Sequence, residues 1–164
     1  MKEKILVLIV AFSFWNSFFA QNTSVELKTY DSFERNYSIK YPKDWKIEKN
    51  KDGVVSIESD KIKGGIYISG YSGITFSDEY MTDFILESNS LSTDFKKNIR
   101  IKEEKGIKSW YISYTDTKNN LVCISAYKRL GENLWFVSTE MDPKLWKKGW
   151  KEIIVEIIVS FEIK

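Results

Sequence analysis

The chain has no histidine, one cysteine and two prolines among its 164 residues, and each scarcity excludes something. Without imidazole the commonest general base, the usual triad partner and the main nitrogen ligand for transition metals are all missing. Zinc and triad hydrolase chemistry therefore fall together, and a papain-like Cys–His arrangement falls with them. A single cysteine, Cys123, cannot close an internal disulfide, so the folded state must rely on its core. Within a strand-like run that residue reads as a small buried apolar group. Glycine is sparse too, and Gly64-Gly65, Gly70 and Gly73 lack the spacing and the Lys-Ser/Thr continuation of a phosphate loop. No excess of one charge exists: 25 basic against 23 acidic residues give a net +2, too little to neutralise many phosphates, so no nucleic-acid partner is expected. No catalytic, cofactor-binding or metal-binding residue is predicted, and no enzymatic activity.

The longest hydrophobic run, Ile5 to Trp15, follows Lys2, Glu3 and Lys4 and precedes the more polar Asn16 to Ala20. That charged, apolar, polar order is the layout of a secretory signal over residues 1–20, with cleavage after Ala20 and export to the periplasm or medium. The apolar part falls short of the roughly 20 residues of a membrane span. Phe18 stands where a small residue is expected, which keeps an uncleaved anchor as the alternative. No cysteine follows the run, so lipid attachment there is excluded. Loss of Lys2, Glu3 and Lys4 leaves 23 basic and 22 acidic residues. Residues 21–164 have the length of a single domain with one substantial core.

Period-two alternation predicts the strands. Tyr37, Ile39 and Tyr41 alternate with Ser38 and Lys40, Pro42 ends ladder pairing by removing a donor, and Trp45 follows as a core anchor. Further strands are expected at Val55–Ser59, Ile66–Tyr71, Asn98–Glu103, Ser109–Thr115, Leu121–Lys128 and Leu134–Glu140. The turns fall at Gly64-Gly65, Asp116–Asn120 and Gly131–Asn133, the last two short enough for antiparallel hairpins. The segment Gln21–Asp31 reads as a flexible arm or, through Val25, Leu27 and Tyr30, as an edge strand.

Two helices are predicted. Thr75-Phe76-Ser77-Asp78 matches a hydroxyl residue followed three later by an acid, and Tyr80, Met81, Phe84, Ile85 and Leu91 recur at helical spacing, giving a helix over about Phe76–Ser90. Asp142-Pro143 opens the second, running to about Val159. Trp146, Trp150, Ile153, Ile154, Ile157 and Phe161 fall on one stripe of it, and Lys144, Lys147, Lys148 and Lys151 on the opposite one. The β-branched run Ile153–Val159 leaves a strand as the minority alternative. Several of the strands are apolar on both faces, as strands covered on both faces are. The fold class is thus α+β: one antiparallel sheet of six to seven strands with helices on both faces, an α/β/α sandwich.

The stretch Tyr-Ser-Ile-Lys-Tyr-Pro-Lys-Asp-Trp at Tyr37 to Trp45 resembles the opening signature of PsbP-like domains, aromatic-x-Ile/Val-x-Tyr/Phe-Pro-x-x-Trp. The helix start Thr75–Tyr80 and the Ile-Ile-x-Ser-Phe ending at Ile157–Phe161 fit the same pattern, and the resemblance covers roughly Tyr30 to Lys164. It implies an antiparallel sheet between helices and a non-enzymatic role. The fold is shared by a photosystem II subunit, a Ran-binding nuclear import factor and bacterial accessory proteins. Metal contacts proposed in the photosynthetic members involve histidine, which this chain lacks, so no site residue transfers.

The remaining candidates for chemistry have structural readings. Asp78, Glu79 and Asp83 suit the start of the first helix, where the dipole favours acids. Asp116–Asn120 lacks the alternating acids, central glycine and distal glutamate of a calcium loop and reads as a hairpin turn. Glu103 and Glu104 read as a solvated strand end. The lysine stripe could meet anionic lipid, but Trp146 and Trp150 lie on the opposite, core-facing stripe, so no membrane contact is expected. What remains is a binding or accessory module of the cell envelope, holding an unidentified envelope protein by a sheet edge or helix face. The alternative is a carrier of a small apolar ligand or lipid in an aromatic-lined pocket.

Overall fold

The computed structural model describes residues 25–164, so the expected signal over residues 1–20 lies outside the described residues. In chain order the elements are β1 (Leu27–Ser32), β2 (Tyr37–Pro42), β3 (Lys46–Lys49), β4 (Val55–Ser59), β5 (Ile62–Tyr71), α1 (Asp78–Ser88), β6 (Arg100–Glu104), β7 (Ile107–Asp116), β8 (Leu121–Leu130), β9 (Asn133–Met141), α2 (Lys151–Val159) and β10 (Glu162–Ile163). Seven strands form one antiparallel sheet in the order β3-β4-β5-β9-β8-β7-β6. A second sheet of three has β2 between β1 and β10.

Alternation sorts the side chains of the large sheet onto two faces. Ile66 and Ile68 of β5, Val137 and Met141 of β9 and Ala126 of β8 meet Ile154, Ile157 and Ile158 of α2 and Tyr37 and Ile39 of β2. Trp110 and Ile112 of β7, Tyr127 of β8 and Leu134 of β9 point the other way, under Met81, Ile85 and Leu86 of α1. Each fully buried aliphatic of this kind stabilises by about 1.5–3 kcal/mol. Trp45 is buried as expected and stacks on Trp150, ring centres 5.7 Å apart and 23° from parallel.

The expectation of a single sheet is corrected. The strand Tyr37–Pro42 does not join the large sheet: the turn that donates Trp45 N–H to the Pro42 carbonyl (3.0 Å) redirects the chain, and β3, unrecognised in the sequence, takes the edge beside β4. The small sheet and α2 together close one face, while α1 lies on the other. Two residues of β10, too few to show alternation, complete the small sheet by pairing with Ser38 and Tyr37. Two pins hold the small sheet to the large one. Arg35 Nη1 donates to the Gly70 carbonyl at 2.7 Å, and Trp135 Nε1 donates to the Arg35 carbonyl at 2.9 Å.

Gly64-Gly65 is not a turn either; β5 runs through both. Gly64 has φ 137°, and a Cβ there would overlap the Glu140 carbonyl oxygen of β9. The pair therefore marks a close backbone approach, one of the two meanings of glycine inside a strand. The first helix is capped by Ser77, not Thr75: the Ser77 hydroxyl accepts from Tyr80 N–H at 3.4 Å. It stops at Ser88, where Asn89 Nδ2 donates to the Ile85 carbonyl at 2.7 Å. The second helix begins as expected, Asp142 accepting from Lys144 N–H at 2.7 Å, but makes a single turn over Pro143–Leu145 before breaking at Lys148 and Gly149. Gly149 takes φ 95°, open to glycine at little cost, and the break turns Trp150 onto Trp45. Beyond it the β-branched run is helical to Val159.

Candidate functional site

Residues singled out in the sequence mostly occupy structural positions. Cys123 is buried, and burial pushes its thiol up to about 11, which keeps it protonated and a poor nucleophile. Asp78 anchors the start of α1 to the sheet through Lys108 Nζ (2.7 Å) and Arg129 Nη1 (3.3 Å). Asp116 organises the β7–β8 turn, its Oδ1 accepting from Lys118 N–H (3.0 Å) and Asn119 N–H (3.1 Å). The Asn119 side-chain amide, which also donates to it, holds the carboxyl below its ordinary range. Glu103 and Glu104 are exposed on β6. Lys144, Lys147 and Lys151 are exposed, whereas Trp150 is buried and Trp146 half-buried. Trp45, Trp110, Trp135 and Trp150 are buried in the core, with Trp45 and Trp150 also edging one surface hollow and Trp135 another. No group of three potential metal ligands occurs among the described residues.

The sequence reading missed a groove on the α1 side of the large sheet. Because α1 stops at Ser88, it covers the β7–β8–β9 part of this face and leaves the β4–β5–β9 part without a helix. Between the end of α1, the 3-10 helix over Thr93–Asn98 and the β7–β8 turn lies a hollow of about 800 Å³. It is larger than the one of about 530 Å³ beside Trp45. Tyr67, Phe95, Tyr114 and Phe136 supply its rings, Ser88, Asn89, Ser90, Ser92 and Ser138 its polar rim, and Glu140 stands on the floor. Tyr67 and Glu140 also line the adjoining hollow that reaches Glu58, Asp60 and Lys63, so the two form one trough across the sheet.

Local register explains the trough. Glu140 lies between Gly65 of β5 and Cys123 of β8, and Ser138 lies between Tyr67 and Ser125, so small residues flank it on the central strands. The Tyr67 ring lies over Gly65, where a Cβ would come within 2.9 Å of the phenol oxygen, and its hydroxyl donates to Glu58 at 2.5 Å. The far wall is held by Asn89: Tyr114 Oη donates to Asn89 Oδ1 (2.8 Å), and Asn89 Nδ2 donates to Tyr127 Oη (2.7 Å). This network fixes the walls without a ligand.

Electrostatically the floor is negative. Burial first, then the nearby charges of Asp116 and Glu58, raise the Glu140 carboxyl above its ordinary value. Burial raises the phenols of Tyr67 and Tyr114 as well, so both remain protonated at neutral pH. The signal for the groove was present in β5 and β9. Tyr67 and Ser69 alternate with Ile66 and Ile68, and Ser138 and Glu140 alternate with Val137, Thr139 and Met141, so the more polar set of each strand falls on one face. What periodicity lacks is the adjacency of β5 and β9, which brings those polar sets together.

No family model and no curated protein matches the chain. Solved structures do match. The chain is similar to cyanobacterial PsbP from Synechocystis, with TM-score 0.65 at 12% identity, covering 85% of this chain and 94% of that one. It is similar to a protein of Bacteroides thetaiotaomicron, with TM-score 0.53 at 16% identity, covering 84% of this chain and 48% of that one. It is also similar to the Ran-binding protein Mog1p of Saccharomyces cerevisiae, with TM-score 0.52 at 9% identity, covering 85% of this chain and 96% of that one. At such identities the likeness concerns shape alone. The seven-stranded antiparallel sheet, with α1 on one face and α2 plus the three-stranded sheet on the other, is therefore a PsbP-like fold.

Proposed function

We propose that the chain is a non-catalytic binding module that holds another protein in the groove between α1 and the β7–β8 turn. The observation that carries this reading is the groove's lining: tyrosine and phenylalanine rings with a rim of serine and asparagine on a fixed scaffold. Rigid rings give contact area at low entropic cost and short polar side chains adapt to a partner's hydrogen bonds, the composition of surfaces that recognise proteins. That the yeast neighbour is a Ran-binding protein supports protein binding as a use of this shape. Export over residues 1–20 and an envelope partner belong to the same proposal, which rests there on the sequence pattern. Membrane contact does not: Trp146 and Trp150 face inward, and no helix among the described residues is long and apolar enough to cross a bilayer.

Photo-crosslinking in the producing cells tests it. A benzoylphenylalanine at Phe95 should trap a discrete protein, and the same residue at Val155, exposed on α2, should not. Equal labelling at both positions, or none at Phe95, would remove the groove as the contact surface. Native mass spectrometry of the purified protein addresses the carrier alternative, since a co-purifying small apolar mass would promote it.

A further inference from the structure

Glu140 stands apart from the other carboxylates on this face. Glu58 receives the Tyr67 hydroxyl, Asp116 receives its own turn's amides, Asp60 pairs with Lys46, and Asp78 holds Lys108 and Arg129. Glu140, half-buried on the central strand β9, has no hydrogen-bond donor and no ion-pair partner among the described residues, and its charged neighbours Asp116 and Glu58 carry the same sign. A carboxylate withdrawn from water without a partner is costly. The rings of Tyr67, Tyr114 and Phe136 line the same space and present negatively polarised faces, which attract cations. Of the two lysines lining the trough, Lys63 donates to the Asn119 carbonyl at 2.9 Å and Lys118 stands exposed in the β7–β8 turn.

We infer that the trough seats an extended segment of the partner protein with a lysine or arginine side chain entering between Tyr67, Tyr114 and Phe136 to meet Glu140. This rests on the groove being the contact surface and adds the chemistry of what enters it. Charge complementarity decides the occupant: an acidic or phosphorylated segment would add a like charge beside Glu140, Asp116 and Glu58. A bare divalent ion would find one half-buried carboxylate rather than the several oxygens it needs. A hollow of about 800 Å³ continued by another of about 400 Å³ offers room for an extended stretch of several residues. At neutral pH the partner's cation would compensate a charge that the free protein leaves uncompensated.

Selection of a displayed random dodecapeptide library on the protein purified from its cells, in parallel with Glu140→Gln and Tyr67→Ala, provides the test. Wild type should enrich peptides sharing one Lys or Arg position. Replacing that residue by norleucine in a synthetic peptide should weaken binding at least tenfold, roughly the loss of one charge-assisted contact. Glu140→Gln, folded by circular dichroism, should lose the same factor and its basic preference. Enriched peptides without a basic position, or a basic preference unchanged in Glu140→Gln, would overturn this inference. If their binding still fell in Tyr67→Ala, the groove reading would survive. Binding indifferent to both substitutions, or no enrichment at all, would overturn both.

Discussion

On the α2 side of the large sheet, Ile57, Ile66, Val137 and Ile154 are shut away from water, and the half-buried ammonium of Lys128 is met by the Phe161 carbonyl and lies 5.5 Å from that ring's centre. On the α1 side the helix ends early, and the half-buried carboxylate of Glu140 is left on a groove floor with no counter-charge. The same strands build both faces, so the difference comes from what covers them. A second sheet plus a helix closes one face, and one helix of eleven residues cannot span the other. The larger buried cluster lies where cover is complete, and the groove proposed for binding lies where it is not.

Substitutions at three positions sharpen or break that contrast. The largest effect is expected on the covered side. Trp45→Ala removes the partner of Trp150 and should cost about 3–5 kcal/mol in denaturant unfolding. An unchanged midpoint would mean the stack contributes nothing to the core. An intermediate effect is expected at the seam between the faces. Gly64→Ala forces a side chain against the Glu140 carbonyl at a φ that few residues accept, and should cost about 1–3 kcal/mol. Wild-type stability in that variant would show that β5 and β9 can separate without penalty.

The smallest effect, and the only one of opposite sign, is expected on the open side. Since burial and its acidic neighbours hold the folded Glu140 carboxyl above its ordinary value of 4.5, the folded state binds more protons than the unfolded chain between that value and the raised one. The extra stability is present below 4.5 and lost as pH rises through the folded value. Glu140→Gln, which cannot ionise, should therefore melt slightly higher than wild type at neutral pH, with the gap closing as pH falls through the raised folded value and closed below 4.5. A variant that melts lower at neutral pH would show that Glu140 supports the fold, and the contrast between the faces would fail there.

Much of the covered side was legible in the sequence. The alternation of Tyr37, Ile39 and Tyr41 with the stop at Pro42 and the following Trp45, and separately the Asp142-Pro143 start, are each written within a few residues of sequence. The division into two sheets was not, because β2 pairs with β1 nearby and with β10 far along the chain, and two residues of β10 carry no periodic signal. Gly64-Gly65 misled for a related reason: its role is set by β9, and composition alone cannot distinguish a chain reversal from a close approach. The groove depended on the same β5–β9 adjacency and on where α1 stops, which Asn89 decides through a side-chain bond to Ile85.

The long-range closure of the small sheet bears on the order of folding. Lys40 N–H donates to Ser160 Oγ at 2.9 Å across 120 residues of chain, and Lys164 reaches Asp31 across 133. Contacts of such separation form late, because the entropy of closing so long a loop must be met before any pairing compensates it. Hairpins such as β7–β8 and β8–β9 need no such closure and can assemble first. The small sheet then acts as a buckle: until Glu162 and Ile163 arrive, the Tyr37–Ser38 end of β2 has no strand partner on that flank, and unpaired strand edges of this kind are open to pairing with other chains.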